Sequence, residues 1–215
     1  MRDNNIAPGK NPNESAIVHD NGNRNGYTIN FALINTKAYH NRFENLTKRK
    51  SVNEELYKQA IKILGRRSGT EYEELIVLDA RKGTLLAENF SAVADKRPFQ
   101  CGLSEMQHAD LEQRGEKFIT LHNHPNSSFP SPADIRALFS RSLQTDSVVI
   151  CHDGTIYYLE KLKNFNDIRE LIARTARETD GKLSGRPMHI IEAEISLEVI
   201  KKLRRSGILT FKEVP

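Results

Sequence analysis

The spacing of apolar positions changes along this chain, and the changes predict helices alternating with strands. After a Ser-x-x-Glu pattern at Ser51, apolar residues recur at the spacing of one helical face, at Tyr57, Ala60, Ile61 and Leu64. Short apolar runs farther along are typical of buried strands. We expect helices near 51–64, 103–114, 132–143, 165–179 and 195–205, and strands near 75–78, 84–87, 118–121, 147–151, 155–159 and 208–213. This order predicts an α/β fold with a mixed sheet flanked by helices.

The same patterns divide the chain into four segments. Residues 1–26 contain seven Asn among scattered Gly and Pro and lack apolar periodicity, which predicts a flexible tail. Residues 27–68 form a helical N-terminal extension, residues 69–162 the domain that holds most strands, and residues 163–215 a helical C-terminal extension. The apolar stripe of the helix near 51–64 must be buried, and we expect it to pack against the sheet.

Composition excludes several classes of protein. The 215 residues are 38% hydrophobic, yet no apolar run approaches the ~20 residues of a membrane span, and the first residues lack the apolar run of a signal peptide. We therefore expect a cytoplasmic protein with no membrane partner. The two cysteines, Cys101 and Cys151, are too few for a disulfide scaffold. We expect each to be a small buried hydrophobe and not a metal ligand.

The net charge of +4 is unevenly distributed. Residues 1–70 carry twelve Lys and Arg against six Asp and Glu, whereas residues 71–215 carry twenty against twenty-two. A DNA-binding domain would show a basic face and a recognition motif, and neither is evident here. We interpret the clusters at 48–50 and 66–67 as solvated surface and do not expect nucleic acid as a partner.

Two histidines close one of the predicted strands. His122 and His124 are two residues apart, so on a strand their imidazoles share a face and can aim at one point. A loop with two prolines follows, and Ser131 then opens a helix whose first turn contains Asp134. Two His and one carboxylate are a recurring set of protein ligands for catalytic zinc, with water in the fourth position. We therefore predict a Zn²⁺ site at His122, His124 and Asp134.

Residues 122–134 read His-x-His-Pro, a short loop and Ser-x-x-Asp. This stretch resembles the signature of the JAMM metalloproteases, also called the MPN+ or JAB domain, and Leu-His-Asn-His-Pro is similar to their RadC-like and phage-associated bacterial branches. The resemblance covers roughly residues 69–162. It implies a JAB/MPN-like domain with cytidine-deaminase-like layering, zinc on the three ligands named above, and Ser131 orienting the reacting groups and supporting the oxyanion. One departure is the loop before Ser131, which is one residue shorter than is usual in the family.

The resemblance also implies an upstream glutamate as general base. Such a residue accepts a proton from metal-bound water and passes it to the leaving amine. Glu71, Glu73 and Glu74 precede the strand near 75–78. In the RadC-like pattern the glutamate stands eight residues before the Asp that closes the strand, and counting back from Asp79 gives Glu71. We predict Glu71 as the base, with Glu74 as the alternative that a shorter spacing would favour.

The function implied by the resemblance is amide hydrolysis by a zinc metalloprotease or isopeptidase, with a protein or peptide substrate such as a ubiquitin-like tail. One alternative is a non-catalytic MPN-type interaction module, which the retained ligand set disfavours. A second is a RadC-like DNA-associated protein, suggested only by the motif and the basic N-terminal third. A nucleobase deaminase is disfavoured because His-x-Glu and Pro-Cys-x-x-Cys are both absent.

Overall fold

The computed structural model describes residues 27–89, 98–183 and 185–215, so the tail expected at 1–26 lies outside the described residues. The elements, in chain order, are α1 (Phe31–Ile34), α2 (Lys37–Asn41), α3 (Lys50–Arg67), β1 (Leu75–Asp79), β2 (Leu85–Asn89), α4 (Glu105–Arg114), β3 (Phe118–His124), α5 (Pro132–Ser140), β4 (Gln144–Cys151), β5 (Ile156–Lys161), α6 (Ile168–Leu183), α7 (Met188–Arg205) and β6 (Leu209–Val214). The expected alternation of helices and strands is confirmed. Among the described residues, no helix combines the length and apolar character needed to cross a bilayer.

The six strands form one sheet in the order β2-β1-β3-β4-β5-β6. β3 and β4 run parallel and are joined through α5, while all other neighbouring strands are antiparallel. An α/β fold with a mixed sheet flanked by helices is therefore confirmed. Because β1 is antiparallel to β3, the start of β1 lies beside the end of β3, where Leu75 faces His122 across the pair. Most of the predicted site residues lie at this end of the sheet.

Apolar residues cover both faces of the sheet. Alternate residues of β1, β3, β4 and β5, such as Leu121 and Ile150, form one core with the helices α1 to α3. The intervening residues of β4, β5 and β6, such as Val149 and Leu159, form a second core with α5, α6 and α7. β6 belongs to the segment predicted as a C-terminal extension, yet it pairs with β5. Both expected extensions therefore contribute layers to the same structure.

The buried face of α3 agrees in part with the expected one, because Ala60 and Leu64 are fully buried against the sheet, as predicted. Tyr57 and Ile61 are only partly buried, whereas Val52, Leu56 and Ile63 are fully buried against the sheet. The predicted residues form one edge of a wider apolar face. Several overlapping sets of residues around the helix share the i, i+3, i+4 spacing, so the spacing alone does not select one set.

The start of α3 also differs from the expectation. The helix begins at Lys50, and no side chain forms a capping hydrogen bond there, so Ser51 is not the cap. Asn53 is buried instead, and its amide fixes the preceding turn. Its Oδ1 accepts from the N–H and hydroxyl of Thr47 at 2.9 and 2.7 Å, and its Nδ2 donates to the Glu44 carbonyl at 2.6 Å.

Candidate metal centre

The end of β3 places two imidazoles side by side. His122 and His124 are each about 4% exposed, and their Nε2 atoms lie 3.1 Å apart. Their neighbours on the parallel strand β4 are Val149 and Cys151, which pack in the core under α5 to α7. The imidazoles therefore point toward the layer that contains α5 and not toward α3.

The first turn of α5 supplies the carboxylate. Ser131 caps the helix: its hydroxyl accepts from the backbone N–H of Asp134 at 3.2 Å. In return, Asp134 Oδ2 accepts from the N–H and the hydroxyl of Ser131, both at 2.7 Å. This reciprocal capping box fixes the carboxylate, and Pro132 suits the first helical position because it needs no N–H there. The cap predicted at Ser131 is confirmed.

The three predicted ligands converge. His122 Nε2 lies 3.3 Å from Asp134 Oδ1, and His124 Nε2 lies 3.4 Å from Asp134 Oδ2. The two Nε2 atoms lie 3.1 Å apart, and each faces a different oxygen of the carboxylate, so one ligand atom from each of the three side chains lies within 4.8 Å of the other two. Tetrahedral zinc with bonds of about 2.0–2.1 Å separates its ligand atoms by about 3.3–3.4 Å. The donor set and its spacing therefore fit Zn²⁺.

The tautomer of one imidazole supports the same fit. His124 Nδ1 lies 2.9 Å from the carbonyl oxygen of Ser128, which can only accept, so Nδ1 carries the proton. When the ring is neutral, its Nε2 therefore carries the lone pair and lies beside the other two predicted ligands. Metal-binding histidines commonly donate their second N–H to a backbone carbonyl in this way, which fixes the ring.

The electrostatics of the cluster favour a positive charge. Burial opposes the ionisation of Asp134, but the two imidazoles hold the pKa of this carboxyl well below its ordinary value. Burial likewise opposes a charge on His124, yet its hydrogen bond with Asp134 and the nearby Glu73 raise its pKa to about 9. Two carboxylates that stabilise a cation in a buried place are suited to a metal ion.

The glutamate that faces the cluster is Glu73. Continuing the pairing of β1 with β3 by two residues from Leu75 and His122 brings Glu73 opposite His124, on the same face of the sheet. Glu73 is about 9% exposed, and burial raises its pKa against the opposing influence of His124 and His122.

The two glutamates favoured from the sequence lie elsewhere. Glu71 is exposed outside the strand, and its backbone carbonyl accepts from the N–H of Phe99 at 2.9 Å. Glu74 is fully buried on the opposite face, where Arg66 and Arg67 of α3 both pair with its carboxylate. Neither Glu71 nor Glu74 is therefore placed beside the cluster, whereas Glu73 is. Counting residues from Asp79 could not reveal where β1 begins or which face each glutamate occupies.

One further residue was missed from the sequence. Asn123, between the two histidines, is fully buried. Its Oδ1 accepts from the N–H of Glu74 at 2.8 Å, and its Nδ2 donates to the carbonyl of Tyr72 at 3.2 Å. The same Nδ2 lies 3.1 Å from His152 Nε2, and His152 Nδ1 lies 2.7 Å from the carbonyl of Tyr27. No motif marks such a residue, because its partners, two backbone groups and one imidazole, are all distant in sequence.

The two cysteines have different surroundings. Cys151 is buried in the core under α5 to α7, as expected. Cys101 is partly exposed and lines a cavity of about 840 Å³ together with Glu73, His124 and Asp134. The cavity gives an outside molecule access to the cluster.

Comparison with protein families, with curated proteins and with solved structures finds no match for this chain. The resemblance to JAMM metalloproteases accordingly rests on residues 122–134.

Proposed function

We propose that this protein is a zinc-dependent hydrolase of amide bonds, a metalloprotease or isopeptidase of JAMM type, with Glu73 as its general base. The single observation that carries the proposal is the convergence of His122, His124 and Asp134. The two imidazole Nε2 atoms lie 3.1 Å apart, and they lie 3.3 and 3.4 Å from different oxygens of Asp134, distances close to the ligand spacing of tetrahedral zinc. A JAB/MPN-like arrangement of the sheet and helices is part of this proposal.

Each residue has a defined role in the proposed reaction. Zinc, when bound, polarises the substrate carbonyl and lowers the pKa of a coordinated water. Glu73 accepts the proton of the attacking water and delivers it to the leaving amine, a task that its raised pKa suits. Ser131 acts through Asp134, because its hydroxyl is committed to that carboxylate. Asn123 holds the backbone on both sides of Glu73.

The cavity beside the cluster fits a protein or peptide substrate. Its volume of about 840 Å³ accommodates several residues of an extended chain, and Phe129, Ile172 and Ala193 give it apolar walls. A ubiquitin-like tail is one such substrate, and it remains part of the proposal.

Metal analysis of the purified full chain tests the proposal. We expect about one zinc per chain. Changing both His122 and His124 to Ala should abolish binding, and Asp134→Asn should weaken it. The matched control is His108→Ala, which removes a partly exposed histidine of α4 outside the cluster.

Two results would contradict the proposal. The first is full zinc retention by the double histidine variant. The second is a folded wild-type protein, judged by circular dichroism, that binds no zinc at micromolar concentration. The second result would instead favour the non-catalytic interaction module.

A further inference from the structure

Three helices enclose the cavity beside the metal centre. α5 packs against α6 and α7, and each helix contributes residues about one turn apart to the cavity wall. The apolar part of this wall includes Ile172, Ala173 and Ala193. The charged part includes Arg136 on α5, Arg169 on α6 and Glu192 on α7. The wall therefore combines apolar contact surface with charges of both signs at separate places.

The two arginines of this wall are free to bind a ligand. Arg136 and Arg169 are exposed, and within the described part of the chain neither forms an ion pair or a hydrogen bond. By contrast, Arg174, also on α6, pairs with Glu178, and Arg114 pairs with Asp110. Two adjacent helices thus each present one uncommitted guanidinium group to the cavity.

We propose that Arg136 and Arg169 bind a carboxylate of the substrate, so that the cavity selects a peptide with an acidic side chain or a free C-terminal carboxylate near the bond to be cleaved. The planar guanidinium fork matches a carboxylate in two parallel hydrogen bonds. Glu192 repels a carboxylate from the α7 wall, whereas Arg136 and Arg169 attract it to the walls formed by α5 and α6. The α5–α6 side is therefore where a substrate carboxylate is stabilised.

A peptide is favoured over a nucleic acid by the walls of the cavity. The walls contain apolar residues and an acidic residue besides the two arginines, which suits a peptide, whereas a phosphate backbone calls for a continuous basic track. The cleavage part of this inference rests on the proposed function. The binding of a carboxylate by the two arginines does not depend on the proposed function.

Peptide binding to the full chain, measured by NMR titration with and without added Zn²⁺, tests the inference. The probes are acetylated Ala-rich octapeptides that differ at one central position. Three carry Glu, Gln or Lys with an amidated C-terminus, and a fourth carries Gln with a free C-terminal carboxylate. We expect one of the two carboxylate peptides to bind about tenfold more tightly than the amidated Gln peptide. Comparing the Glu peptide with the free-acid peptide identifies which source of carboxylate the site prefers.

Variants separate the site from general charge effects. Arg136→Gln and Arg169→Gln should each remove the preference for the carboxylate. Arg177→Gln makes the same change in charge at an exposed position of α6 outside the cavity and should keep the preference. Glu192→Gln should keep or increase it. All four positions are exposed, so folding is not at risk.

The results have distinct meanings. Equal affinity for the Glu, Gln and free-acid peptides, or an equal loss in Arg177→Gln, would overturn the inference. Tighter, Arg169-dependent binding of a single-stranded oligonucleotide would overturn it in favour of nucleic acid. An arginine-dependent preference in a protein that binds no zinc would support this inference while the proposed function failed. Zinc binding without a preference for the carboxylate would overturn this inference and leave the proposed function standing.

Discussion

The side chain of Asn123 binds the backbone of Glu74: its Oδ1 accepts from the Glu74 N–H at 2.8 Å. Its Nδ2 donates to the carbonyl of Tyr72 at 3.2 Å. These bonds extend the pairing of β3 with β1 beyond Leu75, the last residue that pairs through the backbone. They hold the two residues on either side of Glu73, so one side chain sets both the end of the sheet and the position of the proposed base.

The first prediction concerns this clamp. Asn123→Ala leaves the Tyr72 carbonyl and the Glu74 N–H unsatisfied, and each such buried group costs about 1–3 kcal/mol. We expect lower stability in denaturant unfolding, faster hydrogen exchange at the Glu74 amide and retained zinc. Turnover should fall, because Glu73 is no longer fixed opposite His124. Unchanged exchange at Glu74 would show that the clamp does not hold this backbone.

The second prediction distinguishes the glutamates. Glu73→Gln should keep the fold and the zinc but lose about a hundredfold or more in turnover, the usual contribution of a general base. Glu71→Gln is the matched comparison, because its side chain is exposed and lies outside the cavity. It should retain activity. An inactive Glu71→Gln beside an active Glu73→Gln would restore the original assignment.

The proposed metal ligands could be predicted from the sequence, whereas the proposed base could not. His122, His124 and Asp134 lie within thirteen residues, and local rules for strands and helix caps relate their positions. Glu73 meets them only through the pairing of β1 with β3, which is a long-range contact. Because β1 is buried on both faces, its five residues show no alternation from which the facing glutamate could be identified.

The same limit applies to the packing of α3. Its existence followed from local periodicity, but its orientation depends on the sheet surface that it covers. The third prediction tests that orientation. Leu56→Ala removes a fully buried side chain and should cost about 2–5 kcal/mol, whereas Ile61→Ala removes a partly buried one and should cost less. Urea unfolding of both variants gives the comparison. A larger loss for Ile61→Ala would favour the stripe first expected from the sequence.

The last prediction concerns a buried carboxyl at the opposite end of the sheet from the metal centre. Burial raises the pKa of Asp146, although hydrogen bonds from Thr145 at 2.6 Å and Tyr158 at 2.5 Å oppose the rise. The folded protein therefore holds this proton more tightly than the unfolded chain does. The resulting stabilisation is complete below the unfolded pKa of about 3.9 and is lost as pH rises through the folded value.

Replacing this carboxyl by an amide removes the penalty of ionising it. The free energy of unfolding of Asp146→Asn, minus that of wild type, should therefore be larger at about pH 7 than at about pH 4. Denaturant unfolding across this range measures the difference, with the exposed Asp167→Asn as the control for a lost negative charge. A difference between wild type and Asp146→Asn that stays constant with pH would contradict the raised pKa. A difference that falls with rising pH would show that the hydrogen bonds from Thr145 and Tyr158 outweigh burial and stabilise the ionised form.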